Sequence, residues 1–300
     1  MNISQLNSPP IPLGAERDQD RHESERKAPL GQLLLKMGKL TEDEIERVLA
    51  LQQQTGLRFG AAAKKLGLVS ETDVQHALAV QFDYHYLHKS QEFFSKRLIA
   101  AYDPFSPQVE ALRALRSQLL LRWFDDAEKV LAVVAANPGE GCSNLAANLA
   151  VVFSQLGERT LLIDANLREP DQRSIFNLYE SRGLSDILAG RADLGVIHKI
   201  DSLSGLSVLG AGTVPPNPQE LLSRKVFGEV LRRCREQYDV ILVDTYPASM
   251  TSDAQTVAAR CGGALLVSRL NQTRMAQLAN VRDQLLMSEV EIVAAIVNDL

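Results

Sequence analysis

Asp164 and Asp244 each close an apolar run, TLLID and DVILVD, and a third such run, KVLAVVAA, leads into NPGEGCS at residues 137–143. Carboxylates at strand ends beside a glycine-rich turn that opens a helix are the parts of a Mg²⁺-nucleotide site. Backbone N–H groups and the helix N-terminus converge on an anion, and Gly139 and Gly141 let the main chain approach it. The Ser143 hydroxyl, Asp164 and Asp244 are hard oxygen ligands for a divalent cation. One residue departs from this pattern. Where the loop should carry a lysine for the β- and γ-phosphates, the sequence has Cys142. The plain alternative is a strand-to-helix turn, with each aspartate capping the element that follows.

Such a site requires a sheet to hold it. Val/Ile/Leu-rich runs begin at Lys129, Thr160, Leu206, Asp239, Gly263 and Ile292, separated by helical stretches. Continuous apolar strands alternating with helices predict an α/β domain with a mostly parallel sheet buried on both faces. Periodicity does not reveal the spatial order of the strands.

The composition narrows the function. A chain of 300 residues with 45% hydrophobic content is long enough for about two domains. A net charge of −5 without a basic run, and 5% aromatics, argue against nucleic-acid binding. No apolar stretch approaches the roughly 20 residues of a membrane span, and the polar start is unlike a secretory signal, so the expectation is a cytoplasmic protein. Cys142, Cys234 and Cys261 lack metal-ligand spacing and fit a reducing compartment.

Ahead of the α/β pattern lies a helical repeat. Pro29 to Gln52 and Arg58 to Gln81 are two copies of 24 residues separated by the five residues QQTGL. Each copy has glycine at its third position, a short helix, Gly38 or Gly67 as its stop, and then a longer helix. TEDE from Thr41 and SETD from Ser70 read as capping boxes for the longer helices. The predicted organisation is a disordered lead over 1–27, a helical domain over 28–88, a linker over 89–106 and the α/β domain over 107–300.

With these residues in view, two resemblances emerge. From about Asp103 onward the chain resembles bacterial tyrosine kinases (BY-kinases) of exopolysaccharide biosynthesis, in particular the EpsG-like, chain-length-determinant-associated branch. PGEGCS resembles the family's Walker A motif, LLIDANLREP its Walker A′ and VILVDTYP its Walker B. VPPNPQELLS and DAQTVAARCGGALLVSR resemble its later segments. The resemblance implies a P-loop NTPase-type fold and ATP or ADP with Mg²⁺ as cofactors. It also implies a nucleotide site of Gly139, Glu140, Gly141, Cys142, Ser143, Asn144, Arg168 and Asn298, with Asp164 and Asp244 as catalytic residues. EALRALR places Glu110, Arg113 and Arg116 on one helical stripe. A salt-bridged solvated face is the bland reading, whereas the resemblance implies a homo-oligomer contact.

The repeat resembles an MshEN domain, the N-terminal module of some type II secretion ATPases that binds cyclic di-GMP. Carried over, that ligand's contacts are Leu30, Gly31, Leu49, Gln52, Arg58, Phe59, Gly60, Leu78 and Gln81. Pro29 stands where the first motif's arginine belongs, and Ala63 and Lys64 replace larger apolar residues. A protein-docking module with the same helices is the alternative.

Three departures weaken the kinase chemistry: Cys142 for lysine, Asp164-Ala165-Asn166 for Asp-x-Asp, and a last tyrosine at Tyr246, so the usual tyrosine cluster is missing as a substrate in cis. The leading expectation is a nucleotide-binding regulator of polysaccharide export with little tyrosine phosphorylation, attached at the inner membrane through a chain-length-determinant adaptor. The alternatives are an active tyrosine kinase acting on a partner's tyrosine, its missing charge supplied by Arg168 or by a lysine from elsewhere, including a neighbouring subunit; a non-catalytic docking or regulatory module; and a reactive thiol at Cys142 activated by the helix N-terminus.

Overall fold

The computed structural model describes residues 28–81, 87, 93–125 and 127–299; the predicted lead over 1–27 lies outside them. The chain divides into two compact units, Met1–His85 and Tyr86–Leu300.

Among the described residues of the first unit there are four helices, α1 (Leu30–Lys36), α2 (Glu42–Thr55), α3 (Phe59–Lys65) and α4 (Glu71–Gln81). Their starts follow from side chains that satisfy otherwise orphaned backbone N–H groups. The Glu44 amide donates to Thr41 Oγ1 at 3.4 Å, and the Thr41 amide donates to the Glu44 carboxylate at 2.8 Å. Ser70 and Asp73 repeat that exchange at 3.0 and 3.1 Å ahead of α4. The short helix of each copy packs against the long helix of the other, α1 on α4 and α3 on α2. Glycine at the third position of each copy is required by close packing. A Cβ on Gly31 would stand 2.9 Å from the Phe59 ring, and one on Gly60 would stand 2.8 Å from Val74. Leu33, Leu34, Val48, Ala62, Ala63 and Ala77 are buried in the core between the helices.

In the second unit, α5 (Ile99–Tyr102) and α6 (Pro107–Arg122) precede a sheet of β1 (Val130–Ala135), β2 (Thr160–Asp164), β3 (His198–Lys199), β4 (Leu206–Leu209), β5 (Val240–Asp244), β6 (Gly263–Arg269) and β7 (Glu291–Asn298). The spatial order is β3-β4-β2-β5-β1-β6-β7, and all pairings are parallel except β3 with β4. The fold is therefore α/β with a mostly parallel sheet. Along β1, Leu131 and Val133 face one apolar layer while Val130, Ala132 and Val134 face the other, which explains why the strand reads as an unbroken apolar run. The helix α7 (Cys142–Ser154) lies on the first face, and α11 (Lys225–Arg235) and α12 (Asp253–Cys261) lie on the second. The short helices α8 (Gln172–Ile175), α9 (Leu184–Leu188) and α10 (Pro218–Ser223), and the later α13 (Met275–Met287), complete the unit.

Of the stretch read as a linker, residues 93–106 are packed into the α/β unit: Leu98, Ala100 and Ala101 are fully buried. A polar side chain holds them there. The Ala100 amide donates to Asn148 Oδ1, and Asn148 Nδ2 donates to the Arg97 carbonyl, both at 2.9 Å.

Candidate functional site: a phosphate-type loop over two buried carboxylates

β5 lies between β1 and β2, so the consecutive strands β1 and β2 are separated and a crevice opens at their carboxyl ends, where open α/β sheets place ligands. The loop 136–141 turns over this crevice into α7. Gly139 and Gly141 have φ of +77° and +85°, values that side-chain-bearing residues rarely adopt. A Cβ on Gly141 would also stand 2.3 Å from Asn298 Nδ2.

The loop is braced from outside. The Glu140 carboxylate accepts from the Asn137 amide at 3.0 Å and from the Thr273 hydroxyl at 2.5 Å, while its carbonyl accepts from Asn298 Nδ2 at 3.1 Å. Arg269 Nη1 donates to the Gly139 carbonyl at 2.9 Å. Glu140 and Asn298, both expected among the nucleotide contacts, are placed as supports of the loop. Asn144 lines the crevice, and its carbonyl accepts from Asn148 at 2.9 Å.

Beneath the loop, Asp164 and Asp244 are register partners on the paired strands β2 and β5, and both are fully buried. Gln172 links the parts. Its Nε2 donates to Asp244 Oδ2 at 2.8 Å and to the Ser143 carbonyl at 2.9 Å, and its amide donates to Asp164 Oδ2 at 3.1 Å. Burial, with the Asp244 charge added, pushes the Asp164 carboxyl well above its usual range. Burial likewise raises Asp244, to about 6, although Gln172, Ser143 and Cys142 favour its charged form. Asp244 Oδ1 and Gln172 Oε1 are buried without a hydrogen-bond partner. Two carboxylates held together in a dry site, with oxygens left over and a serine hydroxyl at hand, fit a divalent cation. Ser143, Asp164 and Asp244 are the residues that would hold it.

Cys142 does not face the loop. Its Sγ donates to the Val133 carbonyl at 3.2 Å, and burial, with the Asp244 charge second, raises the thiol well above its ordinary value. The expectation of a thiol activated by the helix N-terminus is corrected here: the thiol is buried beside the Asp244 carboxylate, and both disfavour a thiolate.

Arg168, the other candidate for the missing charge, is engaged away from the loop. Its guanidinium is bound to the buried Asp253 at 2.7 Å and lies over the Tyr246 ring. Asn166, at the departure from Asp-x-Asp, hydrogen-bonds the Glu169 backbone through both ends of its amide, at 2.6 and 2.9 Å, and so shapes the turn after β2. Sequence reasoning missed Gln172 and also Arg97, which lines the crevice of about 450 Å³ together with the loop.

On α6, Glu110 and Arg113 form an ion pair, and Arg116 Nη1 donates to the Val152 carbonyl at 2.7 Å. In the helical unit, Gly31, Phe59 and Gly60 lie at the helix contacts, and Leu30 and Leu78 pack against the core. Leu49 is 44% exposed, Gln52 is half-buried, Arg58 is exposed, and Gln81 donates to the Ala28 carbonyl at 3.2 Å. Among the described residues, no helix is long and apolar enough to cross a membrane.

A parallel sheet carrying a glycine loop and paired strand-end aspartates defines a P-loop NTPase-type domain. The septum site-determining protein MinD of Pyrococcus horikoshii shares the fold, with a TM-score of 0.51 at 23% identity over 57% of this chain and 70% of that one. No protein-family model matches the sequence. The tyrosine-protein kinase YwqD of Bacillus subtilis is 34% identical over 203 residues, 68% of this chain and 86% of that protein. The chain belongs to the bacterial tyrosine-protein kinase family. The kinase domain of Escherichia coli Etk superposes with a TM-score of 0.64 at 32% identity, covering 68% of this chain and 80% of that one. Other relatives are longer: the chain covers 32% of the putative tyrosine-protein kinase EpsB of Ralstonia nicotianae and 28% of full-length Etk.

Proposed function

We propose that the protein is a nucleotide-binding member of this family in which tyrosine phosphorylation is weak or lost, and that it acts as a regulator in exopolysaccharide biosynthesis and chain-length control. One observation carries the reading. The glycine loop and Ser143 lie over the paired, buried Asp164 and Asp244, an arrangement that supports a phosphate and cation site, whereas Cys142, where a phosphate-loop lysine would reach out, is turned back onto β1. When bound, Mg²⁺ neutralises phosphate charge; the chain's residues hold the cation, cradle the phosphates with backbone amides and brace the loop through Glu140. Without the lysine, transition-state stabilisation falls by about 2–4 kcal/mol, or roughly two to three orders of magnitude in rate.

The same reading assigns Glu110, Arg113 and Arg116 to contacts between copies, and a membrane chain-length-determinant protein as the partner. The helical unit is proposed as a cyclic di-GMP sensor, supported by its repeat spacing and by the exposed Arg58 at the start of α3. A second reading, a tyrosine kinase acting on a partner's tyrosine, is favoured by the presence of a guanidinium, Arg97, on the crevice. ATP turnover and phosphotyrosine formation by the purified chain, with Asp244→Ala as control, separate the two. Robust activity lost in the variant would overturn the first reading.

A further inference from the structure

We infer that Arg97 is the phosphate-binding cation of this site, held in reserve by Asp171 until a nucleotide arrives. The inference rests on the nucleotide-binding reading and adds a residue to it. Among the described residues lining the crevice, Arg97 is the only cationic one, and it shares the lining with Gly139, Gly141 and Ser143. The other guanidiniums nearby are committed, Arg269 to the outside of the loop and Arg168 to Asp253.

Arg97 is positioned by the phosphate-loop helix itself. Asn148 grips the backbone at and just after it, donating to the Arg97 carbonyl and accepting from the Ala100 amide. From that anchor the side chain reaches Asp171, with Nη1 to Oδ2 at 2.6 Å and Nη2 to Oδ1 at 2.8 Å. Both partners are partly open to solvent, at 45% and 33% exposure. A guanidinium fork that fits a carboxylate with two parallel bonds fits a phosphate in the same way. A partly open ion pair can exchange partners, and a multiply charged phosphate offers the guanidinium more negative charge than the single carboxylate of Asp171.

Asp171 is the other half of the device. It directly precedes Gln172, which bridges Asp244 and the Ser143 carbonyl, so the carboxylate that holds Arg97 is joined to the centre of the site by one peptide bond. Without a nucleotide, Asp171 neutralises Arg97. With one, Asp171 is an anion beside phosphate, so its removal should favour binding.

The test is equilibrium binding of ATP, ADP and adenosine, with Mg²⁺, to the full chain and to Arg97→Ala, Arg97→Lys and Asp171→Asn, each checked by thermal melting. Arg97→Ala is expected to weaken ATP binding about 10- to 100-fold, ADP less, and adenosine not at all. Arg97→Lys should recover part of the loss, and Asp171→Asn should bind ATP as tightly as the parent or more tightly. If the parent binds ATP and Arg97→Ala binds it equally, the inference fails and the nucleotide reading stands. If Asp171→Asn loses as much affinity as Arg97→Ala, the pair is a structural brace and the inference fails. If the parent binds neither ATP nor ADP, the nucleotide reading fails and the inference with it.

Discussion

The Sγ of Cys142 lies 3.2 Å from the carbonyl oxygen of Val133, an oxygen that also accepts the Thr245 hydroxyl at 2.8 Å. Val133 is in turn the register partner of Asp244. The thiol is thus built into the β1–β5 seam and serves as a small buried donor under the loop.

Thiol chemistry follows from that placement. All three cysteines are buried; Cys234 is pushed up to about 11 and Cys261 to about 12 by desolvation, and Cys142 is also raised well above 9.0. Since the thiolate is the nucleophile, labelling of the native chain by a neutral alkylating reagent below pH 9 should be slower than labelling of the unfolded chain. Rapid modification of Cys142 at neutral pH would contradict its inward placement.

The carboxylate pair makes the cation-free site electrostatically costly. Asp164 and Asp244 both titrate above 3.8, so the folded chain holds protons more tightly than the unfolded one. Stability from this source is greatest below pH 3.8 and falls as pH rises through about 6. At pH 7, Asp244→Asn should raise the melting temperature of the nucleotide-free chain, by about 1–3 kcal/mol in stability, and abolish any further rise on adding Mg²⁺ and ADP. A lower melting temperature in the variant would contradict the buried-pair description.

These two cases mark what could be read from the sequence. The phosphate-type loop was legible because it is local: strand, glycines, serine and helix follow one another within about two dozen residues. The helix starts at Thr41 and Ser70 were legible for the same reason. Gln172 and Arg97 were not, because their roles arise only when segments far apart in sequence meet, Arg97 reaching Asp171 and Gln172 reaching Asp244. Arg97 also sits in a stretch with the polar, aperiodic look of a linker, and its contacts with Asn148 and Asp171 show that it belongs to the α/β unit. Glu140 and Asn298 show the converse. Motif position suggests ligand contacts, and the structure adds hydrogen bonds to the loop's own backbone and to Thr273, a bracing role that the motif does not signal. Strand order and the antiparallel β3–β4 pair are tertiary outcomes without a periodic signature.

In the helical unit, Asp73 pairs with Lys39 at 2.8 Å and accepts from Ser70, which together hold its carboxyl down at about 2. A depressed carboxyl stabilises the fold fully above 3.8 and loses its contribution as pH falls through about 2. Asp73→Ala should therefore cost about 1 kcal/mol at neutral pH, seen as faster amide hydrogen exchange over residues 59–81 of the full chain. Unchanged exchange would show that the cap contributes nothing.

Cyclic di-GMP sensing has its own test. Calorimetric titration of the full chain is expected to show binding that Arg58→Ala weakens about tenfold or more, as the loss of a charge-assisted phosphate contact would. No heat with the parent chain, or heat unchanged by Arg58→Ala, would leave the helices as a docking module.

The central claim, that the nucleotide site is assembled while its catalytic cation is missing, is tested most directly by restoring the lysine. Mg²⁺-ATP turnover and phosphotyrosine formation should be measured side by side for the parent chain and Cys142→Lys. The expected result is ATP binding with little turnover in the parent, and turnover raised about 10²-fold or more in Cys142→Lys. Robust turnover by the parent, unimproved by the lysine, would contradict the account.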